Sequence, residues 1–330
     1  MDEQLKQSIG KYLEDLYGVD INDGVIHFST QNYAIIFPGS PYMIRISMTP
    51  RKSRQEIVSE LMWVDDLKQF KQTICEPNIS KKGRLLEEFE IDGVTYRASM
   101  FRTARGNVQE VVNFTPMFFV CVGDLLGTIH HVSTEERSLG MHYKRRTQLE
   151  QFREQKEVAW DRLSPEIQER VSAVEKAVSE LPDTLGTYGL CHGDFHANNF
   201  FVEANNVWLF DFDGCCYANY LYDIASFISS SFLQGFGFGR DARTVLEEEL
   251  LPHFRYGYEL NHKLPEELWD LLPLFLAYRV AYTVLMLAMI ENYGLGDIQQ
   301  MKQYFNDLLL ADNILDGITA ANARAAAAAV

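Results

Sequence analysis

The sequence predicts an α+β protein with two lobes: a small lobe built on an antiparallel sheet and a larger, mostly helical lobe. Two observations predict this class. Short β-rich runs surround one long helix before residue 103, and helical periodicity dominates after Gly106. A chain of 330 residues is also long enough for two domains. We therefore expect an N-terminal lobe over 1–103, a C-terminal lobe over 104–320 and a low-complexity tail over 321–330.

The elements of the first lobe follow from the spacing of its apolar residues. Residues 3–17 and 53–71 place apolar side chains on one helical face. Ser53 with Glu56 three residues later is the pattern of a capping box. Short runs rich in β-formers predict the strands, which are Val25–Ser29, Asn32–Phe37, Tyr42–Ser47, Arg84–Ile91 and Val94–Phe101. Asp92-Gly93, between the last two runs, favours a hairpin turn.

The second lobe is predicted to be helical, with one hairpin. The helical segments are 116–132, 146–180, 222–234, 243–260, 264–292 and 297–311. Asn199–Glu203 and Val207–Asp211 are predicted to be strands joined by a short turn. Leu271–Ile290 is the most apolar stretch, but Arg279 lies near its middle. Because a central arginine is costly in lipid, this pattern favours a buried core helix over a membrane span.

The charge of the chain excludes one class of partner. The net charge is −16, from 30 basic and 46 acidic residues. Residues 1–103 hold 13 basic and 15 acidic side chains, a net charge of −2, and residues 104–330 hold 17 and 31, a net charge of −14. Nucleic-acid binding requires cations that displace counterions, so we expect no nucleic-acid partner. The acidity hints at a cationic small-molecule substrate.

The cysteines and the N-terminal residues indicate a reducing compartment. The five cysteines include no CxxC pair, so neither a disulfide framework nor a zinc site is indicated. The first residues lack the charged and apolar regions of a secretory signal. We therefore expect a cytoplasmic protein without a membrane association.

The most informative stretch of the sequence runs from Cys191 to Asn199. His192, Asp194 and Asn199 fit the phosphoryl-transfer pattern H-x-D-x-x-x-x-N. This chemistry needs a carboxylate near the attacking hydroxyl and oxygen ligands that hold Mg²⁺ against nucleotide phosphates. Asp194 is placed to accept the hydroxyl proton. Asn199 and Asp211 are the candidate metal ligands, since a hairpin between them would bring them together.

These residues resemble those of a known family, the aminoglycoside phosphotransferase and choline kinase-like enzymes, which have a protein-kinase-like bilobal fold. The resemblance lies in His-Gly-Asp-Phe-His at 192–196, Asn199, Leu-Phe-Asp-Phe-Asp at 209–213 and Tyr-Asp-Ile-Ala at 222–225. It implies ATP and Mg²⁺ as cofactors. It also implies Asp194 as catalytic base and Asn199 and Asp211 as metal ligands.

The resemblance also implies two supporting roles in the catalytic loop. Asp223 would brace the loop from a helix N-terminus, and His192 would pack and form hydrogen bonds within the loop. His196 is open to two interpretations, a substrate contact or a structural hydrogen bond.

In the first lobe, the resemblance implies a nucleotide site. Arg45 is the candidate ligand of the α- and β-phosphates, and Glu60 is its candidate partner, with Glu56 as the alternative. The hinge that meets adenine would be Ser99–Arg102, and Ser99, Met100 and Phe101 are its candidate nucleotide-binding residues.

The sequence departs from the protein-kinase pattern in two places. The stretch His27–Asn32, where a glycine-rich loop would cover the phosphates, lacks those glycines. His196 stands where protein Ser/Thr kinases usually place lysine, which favours the small-molecule branch. We therefore expect a small-molecule kinase that phosphorylates a hydroxyl of an amino sugar, amino alcohol or amino acid. The alternatives are a protein Ser/Thr kinase and a weakly active nucleotide-binding pseudokinase or scaffold.

Overall fold

The computed structural model describes residues 2–28, 32–48, 52–108, 110, 114–140, 143–237, 239–290 and 296–320. They form two compact units. Unit 1 contains Met1–Gly106, Tyr143–Arg145 and Trp208–Asp213, and unit 2 contains Asn107–His142, Arg146–Val207 and Gly214–Val330. The predicted tail over 321–330 and the central residues of the stretch His27–Asn32 lie outside the described residues.

Unit 1 contains a six-stranded antiparallel sheet and two helices. Its elements are α1 (Glu3–Tyr17), β1 (Val25–Phe28), β2 (Asn32–Ile36), β3 (Tyr42–Met48), α2 (Arg54–Leu67), β4 (Pro77–Asn78), β5 (Glu87–Ile91) and β6 (Val94–Arg102). The strand order is β1-β2-β3-β6-β4, and β5 also pairs with β6. In the register of β3 and β6, Arg45 lies opposite Ser99.

The two faces of this sheet have different environments because side chains alternate along each strand. One face packs on α1, where Ile44, Ile46 and Met100 join Ile9 and Leu13 in a buried apolar cluster. The residues between them in sequence, such as Arg45 and Ser99, therefore point to the opposite face.

Helix α2 begins as the sequence predicts. The Ser53 side chain accepts a hydrogen bond from Glu56 N and Glu56 accepts from Ser53 N, so the capping box is confirmed. The helix ends at Leu67, four residues before the predicted end, and Phe70 lies in the following turn with an exposed ring.

Unit 2 is mostly helical. Its elements are β7 (Asn107–Val108), α3 (Pro116–Ser138), α4 (Gln148–Ala159), α5 (Pro165–Ser179), β8 (Tyr188–Cys191), β9 (Phe200–Glu203), β10 (Asn206–Leu209, whose first two residues belong to this unit), β11 (Cys216–Asn219), α6 (Leu221–Leu233), α7 (Ala242–Thr244), α8 (Leu251–Tyr258), α9 (Glu266–Trp269), α10 (Leu272–Met289) and α11 (Gly296–Leu310). The strand order of its three-stranded sheet is β10-β9-β7, and β8 pairs with β11. The predicted α+β class, with a sheet-rich first part and a helical second part, is confirmed.

The helix boundaries of unit 2 differ from the prediction where proline interrupts the periodicity. The segment predicted as one helix over 146–180 is two helices, since Pro165 begins α5. Likewise, 264–292 divides into α9 and α10 around Pro273. Proline lacks the N–H that continues a helix but fits its first turn, and each of these prolines lies in the first turn of a new helix.

Strands β8 and β11 were not predicted from the sequence. Each has only four residues, which is too few for a clear alternation of apolar and polar side chains. They pair antiparallel with Cys191 opposite Cys216. This pairing fixes the residue immediately before the H-x-D motif.

Glycines allow α3 and α8 to pack at very short range. A Cβ added at Gly123 would lie 2.0 Å from Phe254 O, and one added at Gly257 would lie 2.0 Å from Val120 O. A Cβ added at a third glycine, Gly127, would lie 2.3 Å from Tyr258 O. The two helix backbones are therefore in direct contact.

Within the described residues, two helical stretches are long and apolar enough to cross a membrane. They are Pro116–Ser138 and Glu266–Met289, and 67% and 50% of their most apolar windows are buried within the fold. The core helix of a water-soluble protein has the same length and hydropathy, so these stretches are weak evidence for a membrane span.

Candidate active site

The H-x-D motif follows β8 in a loop that a buried carboxylate holds in place. Asp223 lies in the first turn of α6 and is fully buried. Its Oδ2 accepts a hydrogen bond from His192 N at 2.7 Å, and its Oδ1 accepts one from Gly193 N at 2.8 Å. Hydrogen bonds to an ionised carboxylate are among the stronger ones in proteins. Asp223 therefore fixes the backbone immediately before Asp194.

A second buried network lies behind Asp223. His130 Nδ1 lies 2.7 Å from Tyr258 Oη, and its Nε2 lies 3.5 Å from Asp223 Oδ2. Burial lowers the pKa of His130, despite the opposing charge of Asp223. The geometry fits a neutral imidazole that accepts from Tyr258 and carries its proton on the side of Asp223.

The same buried cluster resembles a metal site only in its residue types. One ligand atom each of His130, Cys191 and Asp223 lies within 4.8 Å of the others. However, burial raises the pKa of Cys191 well above its usual value, so the sulfur stays a thiol. Both carboxylate oxygens of Asp223 also bind backbone N–H groups. The cluster therefore fits a structural role.

Gly193 is required by the shape of the loop. Its φ is +83°, and a Cβ at this position would lie 2.1 Å from Gly214 O. Both the left-handed backbone and the close approach favour glycine. In the next residue, Asp194 N donates to His192 Nδ1 at 3.3 Å. The His192 ring thus forms a hydrogen bond within the loop.

Asp194 presents a carboxylate that two side chains hold from opposite ends. Its Oδ1 accepts from Arg279 Nη2 at 2.8 Å, and its Oδ2 lies 3.1 Å from His196 Nε2. Asn198 N donates to the other ring nitrogen of His196, which places the imidazole proton on Nε2. The Asp194 side chain remains 41% exposed. It is fixed in direction and still accessible.

The electrostatic surroundings keep Asp194 ionised. Burial by itself raises the pKa of this carboxyl. The hydrogen bond from His196 and the charge of Arg279 outweigh burial and hold the pKa of Asp194 well below its usual range. The carboxylate is therefore an acceptor-only group at neutral pH.

Arg279 is a site residue that the sequence did not identify. It is the only charged residue of the 18 in α10, and we expected it simply to be buried in a core helix. Its Nη1 donates to Tyr222 Oη at 3.0 Å, and its guanidinium lies 5.8 Å from the centres of the Tyr222 and Tyr282 rings. A lone charge in an apolar helix needs a partner of opposite charge. The position of Arg279 in such a helix was the sequence signal that could have identified it.

Asn199 lies beside Asp194 in the same loop. It ends the 3₁₀ turn Ala197–Asn199 and is buried. Its Nδ2 donates to Asp194 O at 2.9 Å. Because the amide nitrogen is engaged in this hydrogen bond, the amide oxygen is the atom suited to a cation.

Asp211 belongs to unit 1, whereas Asn199 belongs to unit 2. It lies two residues beyond the end of β10 and not at the strand end that we expected. Its φ is +64°, and its side chain is exposed. Residues other than glycine are uncommon in this left-handed conformation, although aspartate adopts it more readily than most, and such conformations cluster at functional sites.

The second aspartate of Asp-Phe-Asp was not predicted as a site residue. Asp213 Oδ1 lies 2.8 Å from Lys52 Nζ and 3.7 Å from Arg45 Nη1. Asp213 O accepts from Arg145 Nη2 at 2.6 Å. Burial alone raises the pKa of Asp213, but the charges of Lys52 and Arg45 lower it to about 2. Both partners come from segments far away in sequence.

Arg45 and Glu60 form a buried ion pair in unit 1. Arg45 Nη1 donates to Glu60 Oε1 at 2.7 Å, and the Glu60 side chain is fully buried. Glu56, the alternative partner, serves in the capping box of α2. The Arg45 guanidinium also lies 4.9 Å from the centre of the Phe101 ring. Arg45 Nε and Nη2 are buried and have no hydrogen-bond partner among the described residues.

The three predicted adenine-contacting residues lie within β6. Ser99 and Phe101 lie on the Arg45 face of the sheet, but the Met100 side chain lies in the apolar cluster under α1. At Met100 and Phe101, β6 pairs with β3 on one side and β4 on the other. Backbone hydrogen bonds continue beyond these two residues, since Arg102 N donates to Glu76 O and Thr103 N donates to Pro41 O, each at 2.9 Å.

The structure therefore assembles the predicted site residues in two groups. Unit 2 brings together His192, Asp194, Asn199 and Asp223 in and around one loop. Unit 1 contains Asp211 and brings together Arg45, Glu60 and Phe101.

Comparison with known proteins identifies the family. The sequence model of the phosphotransferase enzyme family, APH, matches residues 26–268. Amicoumacin kinase of Bacillus subtilis (strain 168) is 24% identical over 250 residues, which are 75% of this chain and 74% of that protein.

Solved structures of kinases share the fold. Amicoumacin kinase hAmiN in complex with AMP-PNP, Ca²⁺ and Ami has a TM-score of 0.82 at 22% identity, over 94% of this chain and 96% of that chain. The microcompartment-associated aminopropanol kinase has a TM-score of 0.70 at 15% identity, over 98% of each chain. The chain belongs to the phosphotransferase enzyme family, which confirms the predicted family, the predicted kinase-like fold and the prediction of a small-molecule kinase.

Proposed function

We propose that this protein is an ATP-dependent, Mg²⁺-requiring phosphotransferase that moves the γ-phosphoryl group to a hydroxyl of a small molecule. One observation carries the proposal. The accessible Asp194 carboxylate lies in a loop fixed by Asp223 and is held in direction by Arg279 and His196. Phosphoryl transfer depends on such positioning more than on covalent help from the protein.

In this proposal Asp194 is the catalytic base. Oδ1 is held by Arg279, so Oδ2 is the oxygen that takes the proton of the acceptor hydroxyl, through a lone pair that its contact with His196 does not use. His192 and Asp223 support the loop, and the low pKa of Asp194 ensures that the acceptor meets a carboxylate and not a carboxylic acid.

The nucleotide and its metal fit the donor groups that this chain offers. Arg45 Nε and Nη2, which have no hydrogen-bond partner in the described part of the chain, are suited to phosphate oxygens, and Glu60 holds that guanidinium in place. The amide oxygen of Asn199 and the carboxylate of Asp211 are the hard oxygen ligands that Mg²⁺ prefers. When bound, the metal would neutralise phosphate charge. The AMP-PNP and Ca²⁺ in the amicoumacin kinase complex support nucleotide and divalent-metal use.

For adenine we propose the end of β6. Ser99, Met100 and Phe101 were the predicted contacts, and the packing of Met100 under α1 limits that residue to a backbone contact. The Thr103 N–H still donates to Pro41 O at 2.9 Å, and the residues after it lie outside the strand pairing. We therefore extend the proposed adenine segment to Ala104 and Arg105.

The proposed acceptor is an amino sugar, an amino alcohol or an amino acid in the cytoplasm. The structural relative named aminopropanol kinase supports an amino alcohol, and the relatives named amicoumacin kinase make amicoumacin a compound to test. The net charge of −14 on residues 104–330 favours the approach of a cationic substrate.

Turnover of Mg·ATP across an acceptor panel tests the proposal. The panel contains amino sugars, amino alcohols, hydroxy amino acids and amicoumacin, and product is detected by mass. Asp194→Asn should lower kcat on the accepted compound by about a thousandfold or more, within the range of lost base catalysis and misplaced substrate. Asp270→Asn, at an exposed carboxylate, is the matched control.

The outcomes separate the alternatives. Equal turnover by wild type and Asp194→Asn would exclude Asp194 as the base. Label that appears in protein instead of metabolite would favour a protein kinase. Stabilisation by Mg·ATP without transfer to any acceptor or protein would favour a pseudokinase.

A further inference from the structure

Unit 1 contains a pocket in which a lysine outside the predicted site takes part. Its lining includes Lys52, Arg97, Asp213, Asn32 and Ser47. Asn32 and Ser47 lie opposite each other at the ends of β2 and β3. Lys52 lies two residues before the start of α2.

Among the described residues, Asp213 is the one that holds the Lys52 side chain. Its Nζ lies 2.8 Å from Asp213 Oδ1 and also donates to Asp213 O. The Lys52 side chain is 17% exposed. The Lys52 backbone is fixed independently, because Lys52 O accepts from Arg97 Nη1 at 2.8 Å. The four-carbon side chain can therefore turn while its backbone stays in place.

The charges around the pocket favour an anionic ligand once a metal ion is bound. Three cations, Arg45, Lys52 and Arg145, lie around the carboxylates of Glu60 and Asp213. Asp211 also acts on Arg45, but it is assigned to the metal in the proposed function. A metal ion on Asp211 leaves these cations in excess over the remaining carboxylates, which suits a polyphosphate.

Arg45 and Lys52 differ in how freely their cationic groups can bind a ligand. Arg45 is 8% exposed and already bound to Glu60, so its guanidinium is a fixed part of the site. The Lys52 side chain is more exposed than that of Arg45, and it is flexible. Its partner, Asp213, also has contacts with other residues. If Lys52 left, Asp213 would still have Arg45 near its carboxylate and Arg145 on its carbonyl.

We propose that Lys52 binds the β- and γ-phosphates of the nucleotide, and that it exchanges its ion pair with Asp213 for these phosphates. The inference rests on the proposed function and adds a phosphate ligand to it. It also compensates for the missing glycine-rich loop at His27–Asn32. A side-chain ammonium would replace part of the phosphate binding that such a loop provides in protein kinases.

The test measures the dissociation constants of Mg·ATP, Mg·ADP and AMP by titration calorimetry on the full chain. Lys52→Met removes the ammonium, and Lys52→Arg keeps a cation. Lys82→Met is the matched control, because Lys82 forms an exposed ion pair with Asp15. Thermal unfolding of each variant shows that it is folded.

The expected effect grows with the number of phosphates. Lys52→Met should weaken Mg·ATP by about tenfold or more, as expected for a lost hydrogen bond between charged groups, and Mg·ADP by less. AMP should bind within about twofold of wild type, Lys52→Arg should retain most of the Mg·ATP affinity, and Lys82→Met should change none of the three.

Two results overturn the inference in different ways. If wild type binds Mg·ATP and Lys52→Met changes all three nucleotides equally or not at all, Lys52 is not a phosphate ligand and the proposed function stands. If wild type binds no nucleotide, the proposed function fails together with the inference. Should Lys52→Met be unfolded, Lys52→Gln provides the same comparison.

Discussion

Arg279 Nη2 donates a hydrogen bond to Asp194 Oδ1 at 2.8 Å, and this contact joins the middle of an apolar helix to the proposed catalytic base. The arginine is itself held by Tyr222, whose hydroxyl accepts from Nη1 at 3.0 Å. The helix core of unit 2 thus fixes the direction of a carboxylate in the H-x-D loop.

Replacing Arg279 should therefore affect turnover more than nucleotide binding. We expect Arg279→Met to lower kcat by about 10- to 100-fold, the equivalent of one lost charge-assisted hydrogen bond. The KM for Mg·ATP should change by less than about threefold, because Arg45 and Lys52 are untouched. Steady-state kinetics on the accepted compound measures both values.

Two variants control for this effect of Arg279. Arg279→Lys keeps the charge and should restore part of kcat. Arg243→Met removes a guanidinium that is 44% exposed and should leave kcat unchanged. A variant Arg279→Met with normal kcat would show that Asp194 is positioned without the arginine.

Asp223 should be needed for stability as well as activity. Asn at this position retains one acceptor oxygen, so one of the two buried N–H groups of His192 and Gly193 would face an amide N–H₂. We expect Asp223→Asn to lower the free energy of unfolding by about 3 kcal/mol and to reduce kcat. Urea denaturation of this variant and of the control Asp270→Asn measures the difference. Equal midpoints for the two variants would show that Asp223 does not stabilise the loop.

The contact between α3 and α8 should not tolerate a methyl group. In Gly123→Ala the new Cβ meets Phe254 O at 2.0 Å, so the helices must separate. We expect a loss of about 3 kcal/mol. Gly140→Ala is the comparison, since Gly140 has open space and only a left-handed φ of +76°, which costs about 1–2 kcal/mol. A smaller loss at Gly123 than at Gly140 would refute the close packing.

Burial of His262 predicts a pH dependence of stability. Burial, with a smaller effect from nearby His130, lowers the pKa of His262 to about 4, and Nε2 is hydrogen-bonded to Gly186 O at 2.8 Å. The unfolded chain, with a histidine pKa near 6.5, binds more protons between these values. Stability should therefore fall as pH drops from about 7 to about 4, by about 3 kcal/mol from this group.

Urea denaturation at pH 7, 6 and 5 measures this dependence. His262→Gln removes the titrating group, so its stability should fall less steeply over the same range than that of wild type. Parallel curves for the two proteins would assign the pH dependence to other groups, such as buried His130.

The sequence predicted those local elements whose formation depends on one short segment. The boundaries of α1, the capping box of α2 and the hairpin at Asp92-Gly93 were all predicted, because periodicity, caps and turn residues act over a few positions. Prediction was less successful for β8 and β11, which are strands only because each pairs with the other.

The fold class, the family and the order of the motif residues from Asp194 to Asp223 can all be deduced from the amino-acid sequence. The contacts of Arg279 with Asp194, and of Lys52 and Arg45 with Asp213, become visible only in the folded chain. A charge removed from water must find an opposite charge, but its partner is chosen by how helices and strands pack across 85 or 161 residues of chain, and no local pattern records that choice.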